Sequence, residues 1–339
     1  MAADRREAIV VGINTGLLTL SLIVILLVNR NRAYIPLKCK NIPLLNMLFL
    51  TTLLWYLGDI FTYQPTLVAH ATRSVCILTM SWLRMSLGVY SVISCHVFRI
   101  YQYQCVFKWR VPAKGKHLWV PILLWTIVPL LYGILASAIP AGKGGNEYIA
   151  DPPMCVSHKP LYFTAVALLV LLLVVWACAT LMMNNINVCF QEHRELLVVI
   201  VSTVLVVLLQ VVLRWTLPGN SSFAYNTFTS MTDVLIGQIS LFVLVSKPLF
   251  HCLRDPDEYL CYFLHTLRRE NKRVEYEMAG GEEIAVSQFD GLVDSSSTES
   301  TRSIAKVLLG SRCGDSRTAF PAFHQEDPSD CGSPPRVLV

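Results

Sequence analysis

The chain has 339 residues, of which 54% are hydrophobic and 15% charged, and its formal net charge is +5. A soluble domain averages about 25% charged residues, so an ordinary soluble domain is excluded. Membrane topology explains the small positive excess better than a nucleic-acid partner does, and the sequence calls for no cofactor.

Seven hydrophobic stretches follow one another: 8–28, 43–63, 75–101, 118–139, 161–183, 195–215 and 225–247. A helix rises about 1.5 Å per residue and the hydrocarbon core is about 30 Å thick, so about 20 apolar residues cross it. From Leu196 to Leu209 the only polar side chains are Ser202 and Thr203, and both can bond back to their own helix. In lipid every backbone polar group needs an internal partner, which leaves helices or closed barrels. Barrel strands alternate at period two, and these runs do not. The expected fold class is an all-α membrane protein, a seven-transmembrane helix bundle over 1–248, with a juxtamembrane amphipathic helix over 249–278 and a disordered cytoplasmic tail over 279–339.

Loop charge sets the direction. The loop after the first stretch carries Arg30, Arg32, Lys38 and Lys40, and the loop after the third carries Lys108, Arg110, Lys114 and Lys116, with no acid in either. The loops on the other side hold only Arg73, then Lys143 and Lys159, then no Lys or Arg at all. The positive-inside rule puts the amino terminus outside and the tail in the cytosol. Seven residues precede the first stretch; a cleavable signal peptide is not expected, and that stretch must itself direct insertion.

Of 11 cysteines, only Cys76 and Cys155 fall at or beyond the outer face, where the compartment is oxidising. They are either a disulfide tying the top of the third helix to the loop 140–160 or two unpaired thiols. Cys252 and Cys261 sit just inside the seventh stretch, where juxtamembrane cysteines are either palmitoylated or free. Asn220 begins an Asn-Ser-Ser glycosylation sequon on the outer side, close enough to the end of the sixth helix to disfavour modification.

An outer amino terminus, seven spans, an inner tail and a cysteine pair at those two places together describe the architecture of G-protein-coupled receptors. The rhodopsin-like signatures are missing: the third helix ends Cys95-His96-Val97-Phe98-Arg99-Ile100-Tyr101, the sixth has no proline before Pro218, and the seventh ends Ser246-Lys247-Pro248. Leu87-Gly88, Ser94-Cys95, Arg99, Tyr101 through Tyr103, Phe107, Pro112, Pro121, Cys155 and the run from Phe190 to Leu196 resemble the membrane half of the plant and fungal seven-transmembrane regulators of G-protein signalling. The resemblance covers about a third of the chain. It implies a heterotrimeric G protein as partner, but the tail is shorter than a regulator domain, so acceleration of GTP hydrolysis is not implied.

Charges inside the spans point to a site. Asp59, Arg84 and Asp233 all fall within roughly 6 to 12 Å of the outer surface. Even a lone charge at the bilayer centre costs at least ~2.5 kcal/mol, so such groups face the bundle interior and pair. One reading is a pocket for an extracellular ligand built on Asp59, Trp82, Arg84 and Asp233, with Tyr90, Trp176, Arg214 and Gln238 as further walls. The other is an ion pair that holds helices two, three and seven in register. At the inner face, Arg99, Tyr101, Lys108 and Arg110 are the candidate G-protein contacts; the loop cations have the alternative role of binding anionic lipid.

After Pro248, Asp255-Pro256 reads as a helix start with acids in its first turn, and Leu260, Phe263, Leu264 and Leu267 share one face, as in a helix lying on the inner membrane surface. The tract from Asp294 to Ser303 is rich in hydroxyls and suits either phosphorylation or a plain linker. A retinal protein needs a lysine in the middle of the seventh helix, whereas Lys247 sits at its boundary. The readings that stand are a receptor signalling to a heterotrimeric G protein, in the plasma membrane and without enzymatic activity, and a seven-helix solute or ion transporter.

Overall fold

The computed structural model describes residues 2–63, 73–109, 111, 116–140, 145–150, 153–182, 192–216 and 223–269. All lie in one compact unit, Met1–Ile284; a second unit, Ala285–Val339, lies outside them. Arg110, Asn220 and the hydroxyl-rich tract therefore fall outside the described residues, as does the side chain of Arg214.

Seven helices are long and apolar enough to cross a membrane, which makes this a multi-pass membrane protein with a helical bundle. The helices are Ala2–Arg30, Ile42–Tyr63, the run from Arg73 to Phe107, Lys116–Ala138, Lys159–Leu181, Glu192–Thr216 and Phe223–Arg254. They are called the first to seventh spans below. Leu123 and Leu124 are each 62% exposed and Leu205 is 61% exposed, an outward apolar surface that only lipid makes favourable.

The third span is the hub, packing on the second, fourth and fifth, while the first closes the ring against the seventh. Its outer half is not the regular α-helix expected from sequence. Ile77–Tyr90 is π-helical, and α-helix resumes at Ser91–Phe107. The i→i+5 ladder of a π-helix is wider than an α-turn and marks functional sites. Small residues make room for it: a Cβ on Gly58 would lie 2.6 Å from the backbone nitrogen of Arg84, and one on Gly88 would lie 2.8 Å from Cβ of Trp55. Spans two and three thus meet backbone to backbone, the usual role of small residues between membrane helices.

Polar ties inside the bundle link neighbours. Asn14 Nδ2 donates to Ser230 Oγ at 3.2 Å, Ser21 Oγ donates to Gln238, and Tyr56 Oη donates to the Val11 carbonyl at 3.1 Å. Each joins the first span to the seventh or second; in membranes such bonds contribute about 0.6 kcal/mol on average.

The outer end is tied differently. Cys76 and Cys155 form a disulfide with Cα atoms 5.4 Å apart. Residues expected to form a plain loop include a two-stranded antiparallel hairpin, β1 (Asn146–Ala150) and β2 (Pro153–Ser157), with Tyr148 opposite Cys155. Asn146 Nδ2 donates to Ser81 Oγ at 2.6 Å, which pins the hairpin to the third span beside the disulfide.

At the inner end the loop after the first span acts as a bracket. Tyr34 Oη donates to the Pro256 carbonyl at 3.0 Å; burial holds this phenol well above its ordinary pKa, so it stays a donor. Asn41, in left-handed backbone (φ 52°), donates from Nδ2 to Gln102 Oε1 at 2.5 Å, and Tyr103 Oη donates to the Cys39 carbonyl. Lys40 Nζ pairs with Glu195 Oε2 at 2.6 Å. One loop therefore bonds to the third and sixth spans and to the helix that follows, and its short helix Ile35–Lys38 packs on the seventh span.

The seventh helix runs to Arg254 rather than ending near Lys247, because Pro248 is accommodated within it. The juxtamembrane helix is Pro256–Arg269, opening with Asp257 and Glu258 in its first turn. These acids complement the positive end of the helix dipole.

Candidate functional site

Spans two, three and seven bring Asp59, Arg84 and Asp233 together in one layer. Arg84 Nε donates to Asp59 Oδ1 at 2.6 Å, and its Nη2 donates to Asp233 Oδ2 at 3.3 Å. The side chain of Asp59 is 0% exposed and that of Asp233 3%, against 17% for Arg84. Gln210 Nε2, from the sixth span, donates to Asp233 Oδ1 at 2.7 Å and to Thr232 Oγ1 at 2.8 Å. One guanidinium and two carboxyl groups thus share the layer. Burying them is tolerable because each carboxylate receives a charge-assisted bond from the same guanidinium.

Beside this layer lies a cavity of about 170 Å³ that extends to both sides of it. Every span except the first contributes to its wall: Trp55 and Thr62, Arg84 and Val89, Tyr132, Tyr162 and Trp176, Gln210, and Asn226 and Asp233, with Val156 of the hairpin at the outer end. Most of the wall is apolar, with a few convergent polar groups, the composition of a small-molecule site. Several buried polar atoms of lining residues have no hydrogen-bond partner among the described residues: Thr62 Oγ1, Asn226 Oδ1, Thr229 Oγ1 and the indole nitrogens of Trp55 and Trp176. Unmade hydrogen bonds of this kind cost about 1–3 kcal/mol each.

The expected site residues divide. Arg84, Asp233 and Trp176 line the cavity, whereas Asp59 lies behind it as the second carboxylate on Arg84. Trp82 turns to the fourth span instead: its Nε1 donates to Ser137 Oγ at 2.9 Å, and its ring covers Gly133. Tyr90 donates to the Ala165 carbonyl, joining spans three and five, and Gln238 ties span seven to span one. His96 stacks on Trp176 with ring centroids 4.7 Å apart, a packing role.

Gln210, Thr229 and Asn226 were not singled out from the sequence. Their signal was there: Gln210 is the amide that interrupts a run of valines and leucines, and Asn226, Thr229 and Asp233 recur at helical spacing on one face.

At the inner end, Arg99 is 2% exposed and Tyr101 is half-buried, edge-on to Trp109 at 5.8 Å, while Lys108 is exposed. Of the two juxtamembrane cysteines, Cys252 packs against the core and Cys261 is exposed.

No family model matches the chain, and a search of curated proteins returned no match.

Proposed function

We propose that the protein is a receptor of the G-protein-coupled type in the plasma membrane, which binds an extracellular ligand between its helices and passes the signal to a heterotrimeric G protein. The observation that carries this reading is the cavity bordered by six of the seven spans and by the hairpin. A molecule seated there touches spans three, five, six and seven at once, so its binding energy can favour one packing of these spans over another. Arg84 and Asp233 are the polar contacts, and Asp59 holds Arg84 in place.

The coupling surface proposed for the G protein is the inner end of the third span and its loop, with Arg99, Tyr101, Lys108 and Arg110. In the packing described, Arg99 is covered. Exposure of Arg99 by movement of the spans around it is the step through which ligand binding would create a partner site.

A transporter also uses intramembrane Asp and Arg, and one experiment separates the two. The protein is reconstituted with a G protein in vesicles, and nucleotide exchange and solute uptake are measured on the same preparation. Ligand-dependent exchange without uptake supports the receptor; uptake without exchange replaces it with a transporter.

A further inference from the structure

We infer that the cavity takes a slender amphiphile with a protonated amine at its head and a single unbranched apolar chain. The inference rests on reading this cavity as the ligand site of the receptor.

The shape comes first. The cavity wall includes Tyr162 near the outer end of the fifth span and Trp176 deep in the same helix; at about 1.5 Å per residue these lie roughly 21 Å apart along the axis. A lining drawn out over that length makes a slot that suits an elongated ligand. Its middle section is formed by Met85, Val89, Val92, Ile93, Leu169 and Val207. None of these side chains offers a hydrogen bond, so the part of the ligand beside them is apolar.

The charge of the head follows from the outer tier. Arg84 is already shared by two carboxyl groups, at 2.6 Å and 3.3 Å. A ligand carboxylate would be a third acid in this layer and would compete for a guanidinium held at 2.6 Å by Asp59. A cation meets acceptors there instead. Asp233, Thr229 and Asn226 follow one another on the same face of the seventh helix, all line the cavity, and Asn226 Oδ1 and Thr229 Oγ1 have no partner among the described residues. A primary ammonium carries three donors and no acceptor, which matches two unpartnered oxygens beside a carboxylate.

The test uses purified protein in lipid nanodiscs, without G protein. Straight-chain primary amines from hexylamine to hexadecylamine, and the matched carboxylic acids, are titrated while the thermal unfolding midpoint is followed. Amines are expected to raise the midpoint, with affinity rising about fourfold per methylene until the slot is full; the acids are expected to have no such effect. Asp233→Asn is expected to lower amine affinity tenfold or more. Val207→Trp, which fills the slot below the head tier, is expected to move the chain-length limit to shorter amines while preserving the preference for amine over acid.

Acids binding as well as amines, or the absence of a chain-length limit that Val207→Trp shortens, would overturn the inference. Should Asp233→Asn fail to fold, Asn226→Leu reports on the same head tier. Amines that bind as expected but never alter nucleotide exchange leave this inference standing and sink the signalling reading. A ligand of other chemistry that drives exchange while amines do not bind does the reverse.

Discussion

Gly58 lies against the backbone of Arg84 so closely that a Cβ on it would come within 2.6 Å of the Arg84 nitrogen and 2.8 Å of its Cα. The same two spans carry the ion pair between Arg84 and Asp59. Backbone contact therefore sets where the guanidinium can reach. Gly58→Ala has no flexible side chain to push aside, so the third span must shift, at a cost of about 1–3 kcal/mol. Gly12, with nothing within 4 Å of its added Cβ, is the control: Gly12→Ala should leave stability unchanged or raise it by up to about 1 kcal/mol. Thermal unfolding of both variants in the same lipid checks the contrast.

Charge in the polar layer predicts an asymmetry between its members. Arg84→Ala leaves two buried carboxylates without their cation and should cost about 3–5 kcal/mol, with little protein reaching the cell surface. Asp233→Asn leaves Asp59 as an acid partner of Arg84 at 2.6 Å and keeps an acceptor oxygen for it, so it should fold and traffic at close to the normal level. Surface expression followed by unfolding in membranes measures both. Equal loss from the two substitutions would mean that the cation matters no more to the layer than the Asp233 carboxyl group does.

The disulfide closes a sequence separation of 79 residues. In the chain-entropy account a loop of that size contributes up to about 4–5 kcal/mol, and measured values commonly fall at 2–4. Cys76→Ser, Cys155→Ser and the double substitution should lower the unfolding midpoint by the same amount, and a reductant should do so only in the native sequence. A double variant much worse than either single one would show that the thiols act separately.

Lys40 and Glu195 are 8% and 13% exposed and pair at 2.6 Å between the first inner loop and the start of the sixth span. Lys247 of the seventh span lies within electrostatic reach of both. A double-mutant cycle on Lys40→Ala and Glu195→Ala should give a coupling energy of about 0.5–3 kcal/mol, above the value for an exposed pair. If the sixth span moves in signalling, loosening its inner end should also raise nucleotide exchange in the absence of ligand. The exchanged pair, Lys40→Glu with Glu195→Lys, should restore the basal level.

The seven spans were legible without coordinates because length and apolarity are sufficient in lipid: any run of about twenty residues that buries its own backbone bonds can cross. Cys76 with Cys155 was legible as one of two possibilities, since redox compartment singles out cysteines but does not bring two of them together. The polar layer was half legible. A charge inside a span must pair, which marks Asp59, Arg84 and Asp233, but sequence says nothing of how far each helix is rotated about its axis.

Tertiary structure decided that rotation. The π-helical run Ile77–Tyr90 changes the facing of every side chain along it, sending Trp82 to Ser137 of the fourth span and Arg84 to the two carboxylates. It also brought in Gln210, Thr229 and Asn226, whose polarity was visible but whose common wall was not. The inner bracket from Tyr34 to Asn41 reads in sequence as a short basic loop, and only tertiary structure shows that it bonds to three elements and packs on a fourth, the seventh span. Composition fixes which segments leave water, because that depends on each segment alone. The site depends on which faces of different helices meet, and that depends on all of them together.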